Sequence, residues 1–186
     1  MTTLLYLVVA IVAAGALYAL LRRPVGEYFR MRGARVITCP DNQQPAAVTV
    51  DARHAAITAA GGHEQLRLDS CSRWPEKAGC GQECLKQIDV QPMDCLVREQ
   101  VGRWYADKSC VICGKALGAA DWASHKPALR APDGRTMEWG DVRPETIFEV
   151  MRTHAAICWD CHVAETFRRQ RPDLVLDNPF AKQAPR

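Results

Sequence analysis

From Leu4 to Leu21 the chain shows no alternation between apolar and charged positions; eighteen successive residues carry no charge. A helix of that length reaches roughly 27 Å, close to the thickness of a bilayer hydrocarbon core. The pattern predicts a transmembrane helix over 4–21. Beyond residue 35 the period changes. Val36-Ile37-Thr38-Cys39-Pro40 reads as a strand ending in a turn. Val48-Thr49-Val50-Asp51 and Leu66-Arg67-Leu68-Asp69 alternate as half-buried strands do. Cys80-Gly81-Gln82-Glu83-Cys84 opens a predicted helix continuing through Leu85 and Ile88. Four residues apart, its two cysteines share one face.

In the second half, Ala128-Leu129-Arg130-Ala131 and Thr136-Met137-Glu138-Trp139 are predicted short strands flanking the turn residues Pro132-Asp133-Gly134. Arg143-Pro144-Glu145 opens a helix predicted over 144–156, with Ile147, Met151 and Ala155 at helical spacing. A last helix runs from His162 through Arg169, with Val163 and Phe167 on one face, and Pro172 stops it. From Asp173 on, no period is long enough to predict an element, so an extended or disordered tail is expected. The expected fold is a single N-terminal transmembrane helix followed by small α+β metal-stabilised domains. The divisions fall at 1–35 (anchor and basic juxtamembrane segment), 36–100, 101–171 and 172–186.

Charge sets the expected orientation. Arg22, Arg23, Arg30, Arg32 and Arg35 follow the apolar run, no basic residue precedes it, and Glu27 is the sole acid among residues 1–35. The positive-inside bias then puts the N-terminus outside an inner or plasma membrane and the C-terminal domain in the cytoplasm. A cleaved secretory signal would carry its basic residues ahead of the apolar run. The whole chain is +3, but residues 36–186 hold 19 basic and 20 acidic residues, net −1. Such a balance gives no electrostatic footprint for nucleic acid.

Nine cysteines in a chain facing a reducing compartment read as metal ligands, not as a disulfide scaffold. Cys110–Cys113 and Cys158–Cys161 are two C-x-x-C pairs, able to supply the four sulfurs of a closed tetrahedral zinc site. His162 turns the second pair into C-x-x-C-H, the attachment motif for c-type haem. In that alternative Cys158 and Cys161 form thioethers, His162 is the axial ligand, and His154, His125 or Met151 supplies the sixth position. Cys39, Cys71, Cys80 and Cys84, with Cys95 as substitute or spare, make a second candidate site for zinc or an iron–sulfur cluster. Buried structural thiols are the remaining reading of these five.

The knuckle Cys110-Val111-Ile112-Cys113-Gly114-Lys115, the hairpin around Pro132-Asp133-Gly134 and the cysteine pair at a helix start resemble the treble-clef group of zinc folds. The resemblance covers about residues 101–171 and implies that Cys110, Cys113, Cys158 and Cys161 share one zinc ion. The intervening helix 144–156 departs from that group's pattern. Under this reading His162 is a helix-surface residue, and Trp74, Trp104, Trp122, Trp139 and Trp159 plug cores around the metals. No Ser-His-Asp order, phosphate loop, H-E-x-x-H or paired-carboxylate signature is present. The expected function is a non-catalytic adaptor or accessory subunit, bound to a protein partner in a membrane complex. The alternative is an electron-transfer protein carrying haem c or an iron–sulfur cluster.

Overall fold

The computed structural model describes residues 2–119, 122 and 126–174. His125 and the predicted tail beyond Leu174 lie outside the described residues. The chain forms two compact units. The first comprises residues 1–100 with 143–147, and the second comprises 101–142 and the chain from Phe148 on.

The first unit begins with helix α1 (Thr2–Met31), longer than the predicted 4–21 at both ends. It continues through the arginine collar and Pro24 because its last turns gain a packing partner. That partner is helix α2 (Ala52–Ala60), which the sequence reading did not anticipate. The Asp51 side chain accepts the His54 N–H at 2.9 Å and caps α2. Strands β1 (Ala34–Thr38), β2 (Pro45–Val50) and β3 (Leu68–Cys71) form an antiparallel sheet in that order. Its inner face joins Met31 and helix α3 (Leu85–Val90) through a core of Ile37, Ala46, Val48, Val50, Leu68 and Ile88.

Arg35 lies entirely inside this unit. Its guanidinium donates to the carbonyls of Arg30, Met31 and Gly33, pairing oxygens that the end of α1 leaves without intrahelical donors.

Two predictions for this unit are corrected. β3 begins two residues after the expected strand at Leu66, since the Arg67 carbonyl is held by the Asp51 N–H at 3.0 Å and its guanidinium by the Asp51 carboxylate. Cys71 is therefore inside the strand. The helix expected from Cys80 begins at Leu85, because Gln82 takes a left-handed φ of 52° that breaks it. Cys80 and Cys84 do not share a helix face.

The chain passes into the second unit within helix α4 (Val97–Ala106). Trp104, Tyr105 and Trp139 pack edge to face, with ring centroids 4.9–6.4 Å apart. The Tyr105 hydroxyl donates to the Ala128 carbonyl and accepts from Trp139 Nε1 at 3.2 Å. The predicted hairpin is present as β4 (Ala128–Arg130) and β5 (Thr136–Glu138). The predicted helix 144–156 is not continuous. A short turn over 144–146 leads into α5 (Ile147–Thr153), and Ala155–Ile157 forms strand β6. Ala128 and Leu129 of β4 are wholly buried, so their backbone needs a partner on the side away from β5, and β6 supplies it. Helix α6 (Trp159–Gln170) starts three residues ahead of His162 and ends before Pro172, with Arg168 and Arg169 in its last turn. Trp122 is 38 % exposed and plugs no core, whereas Trp139 is buried.

Candidate metal centre

The second unit's cysteines are placed by two local devices. At the first pair, the Cys110 N–H donates to the Lys115 carbonyl and the Gly114 N–H to the Cys110 carbonyl, both at 2.8 Å. This knuckle closes because Gly114 takes φ +74°, a conformation glycine adopts without a Cβ clash. At the second pair, Cys158 follows β6 and immediately precedes α6, and Cys161 lies in the helix's first turn. The Val111 N–H donates to the Ala156 carbonyl at 3.2 Å and fastens the knuckle to β6.

The result is convergence. The four sulfurs of Cys110, Cys113, Cys158 and Cys161 all lie within 4.8 Å of one another, so the cluster can hold a metal ion. Cys113 Sγ and Cys158 Sγ are 3.7 Å apart. A tetrahedral ion with metal–sulfur bonds of about 2.3 Å sets its sulfurs about 3.8 Å apart. Cys110 and Cys158 are buried, Cys161 is half-buried and Cys113 is exposed.

Burial acts to raise the Cys110 thiol. It is outweighed by the N–H groups of Cys113, Cys158 and Ile112 aimed at the sulfur and by the Cys113 thiol, which bring it down to about 6. Burial and the neighbouring sulfurs push Cys161 up, and burial likewise raises Cys158. The Cys110 sulfur thus favours the thiolate while Cys158 and Cys161 resist adding further negative charge. A divalent cation held by the four cysteines would offset that repulsion and favour their thiolate forms.

His162 is buried, not on the helix surface as expected. Its ring tilts against Trp159 with centroids 5.2 Å apart, and Nε2 is 4.0 Å from Glu138 Oε1. Its Nδ1 has no hydrogen-bond partner among the described residues. The structure groups Cys158 and Cys161 with Cys110 and Cys113, not with His162 as a separate trio.

In the first unit, Cys39, Cys71, Cys80 and Cys84 line one cavity of about 530 Å³. Among the described residues they do not close into a cluster as tight as that of the second unit. Burial, with the charges of Cys71, Cys80 and Cys39, pushes the Cys84 thiol up to about 11. Cys95 does not line the cavity; its thiol donates to the Gln91 and Pro92 carbonyls at 3.6 and 3.5 Å. Sequence reasoning missed Arg73, whose Nη1 lies 2.9 Å from Cys39 Sγ. An arginine two residues after Cys71 was the available signal.

No protein-family model, no curated protein and no solved structure matches the chain. Among the described residues the molecule is an α+β fold with one helix long and apolar enough to cross a membrane and one cysteine cluster able to hold a metal.

Proposed function

We propose that this is a single-span membrane protein whose second unit is a treble-clef-like domain built on a structural zinc ion. The observation that carries the reading is the convergence of Cys110, Cys113, Cys158 and Cys161 to sulfur separations that suit one tetrahedral ion. Four thiolates from two elements saturate zinc and leave no position for substrate, which separates a structural site from a catalytic one. The arginine collar supports a cytoplasmic location for both units, and the near-neutral charge beyond it favours a protein partner over nucleic acid. Its role is that of a non-catalytic adaptor or accessory subunit of a membrane complex.

Metal analysis of the full chain purified in mild detergent tests the zinc reading, and the co-purifying proteins test the subunit role. Loss of one zinc ion per chain on Cys113→Ser substitution, together with a stoichiometric membrane partner, is the expected result. A visible haem or iron–sulfur chromophore bound through Cys158 and Cys161 would overturn the zinc reading and restore electron transfer. A reporter fused after Arg186 tests the orientation; activity only outside the cytoplasm would refute it.

A further inference from the structure

The turn after Cys39 repeats the turn after Cys110. In the second unit, the N–H of the first cysteine bonds the carbonyl five residues on, and the N–H four residues on bonds back to the cysteine carbonyl. In the first unit the Cys39 N–H donates to the Gln44 carbonyl at 2.9 Å, and the Gln43 N–H donates to the Cys39 carbonyl at 2.8 Å. The fourth residue after the cysteine has positive φ in both, 74° at Gly114 and 57° at Gln43.

This turn costs something to hold. Glutamine at positive φ is disfavoured by roughly 1–2 kcal/mol relative to the ordinary helical region, yet Gln43 adopts it. What the turn achieves is to present the Cys39 sulfur to the cavity. Arg73 adds a fixed positive charge 2.9 Å from the same sulfur and is itself held by Asp41 at 3.3 Å.

The correspondence lacks one ligand. Three residues after Cys39 stands Asn42, where the second unit has Cys113. Three further sulfurs face the same cavity from other segments. Cys71 comes from the end of β3, Cys80 from the loop beyond it, and Cys84 from the residue before α3. Cys84 stands just ahead of α3 as Cys158 stands just ahead of α6.

We propose that Cys39, Cys71, Cys80 and Cys84 form a second tetrathiolate zinc site in the first unit, built on a metal knuckle whose missing cysteine is supplied from the 71–84 segment. Cys80 is the exposed member, on a loop without helix or strand; no three of the four sulfurs lie within 4.8 Å of one another, so the proposed site would close only as the ion draws them together. The inference rests on reading the second unit's cluster as a metal site, because that cluster is its template.

The test is zinc stoichiometry of the full chain in detergent, measured for the wild type and for Cys80→Ser, Cys39→Ser and Cys113→Ser. Cys80 is exposed, so its substitution leaves the core of the first unit intact, which circular dichroism verifies. Two zinc ions per chain are expected, falling to one in Cys80→Ser and in Cys39→Ser. Cobalt reconstitution of the Cys113→Ser chain should still give sulfur-to-cobalt charge-transfer absorption. One zinc per wild-type chain, kept in Cys80→Ser and lost in Cys113→Ser, overturns the second site and leaves the first standing. Two zinc ions that survive Cys113→Ser count against the first site instead. Iron with inorganic sulfide, lost in Cys80→Ser, overturns the single-ion form.

Discussion

Replacing Cys158 by serine is the sharpest perturbation of the second unit. The core cluster around the sulfurs contains four buried residues, and Cys110 and Cys158 are two of them; the others are Ala128 and Ile157. Burying a side chain such as isoleucine contributes about 1.5–3 kcal/mol. A structural zinc contributes roughly 10–16 kcal/mol of apparent binding free energy in small peptides, comparable with the about 5–15 kcal/mol that stabilises an entire domain. Apolar packing in this cluster cannot replace such a term, so loss of the metal should cost at least about 5 kcal/mol. The assay is hydrogen exchange read by mass spectrometry on peptides carrying β4 and β6, whose residues Leu129 and Ala156 are paired. A loss of that size lowers amide protection by on the order of a thousandfold, since each 1.4 kcal/mol is a factor of ten. Amides of β1 and β2 are the internal control, because they belong to the first unit. A strong chelator on wild-type protein should reproduce the effect in β4 and β6, which separates metal loss from the new hydroxyl. Protection within tenfold of wild type in both experiments would refute the view that metal holds this unit together.

Three further outcomes are expected. Tyr105→Phe leaves Trp139 Nε1 without its acceptor and removes one donor from the Ala128 carbonyl, and should lower the second unit's stability by about 1–3 kcal/mol in denaturant titration. Gly33 has φ +115°, and a Cβ there would sit 3.0 Å from Leu96 Cδ1, so Gly33→Ala should cost the first unit about 2 kcal/mol, read as a lower denaturation midpoint. The His54 N–H, and then Arg67, hold the Asp51 carboxyl below its usual range. Its stabilisation is complete above the ordinary aspartate pKa of about 4 and is lost as pH falls through the lowered value. Asp51→Asn should therefore flatten the decline of stability below about pH 4 in acid unfolding.

The sites were legible where chemistry is local in sequence. Two C-x-x-C pairs and the Pro132-Asp133-Gly134 turn each lie within a few residues, and the structure brings the four paired cysteines together. Elements decided by distant partners were harder to read. Ala155-Ala156-Ile157 continues a helical spacing from Ile147, yet becomes a strand because buried β4 needs hydrogen bonds on its second edge. α2 was hidden in an alanine-rich stretch with weak amphipathicity, and its reason to exist is the end of α1 against which it packs. Cys80 and Cys84 look like a helical pair until Gln82 is seen in the left-handed region, which no composition rule assigns to glutamine. The Cys39 knuckle has no second cysteine to announce it, so its likeness to the Cys110 knuckle is visible in hydrogen bonds and not in spelling.

The guanidinium of Arg35 joins the last turn of α1 to the first strand without a hinge. With residues 4–21 in a bilayer, the ten residues from Leu21 to Met31 rise about 15 Å. The first unit then follows directly on the helix, and Pro24 is the one position among those residues without a backbone N–H. Any tilt or rotation of the helix within the lipid is inherited by the sheet and its cavity.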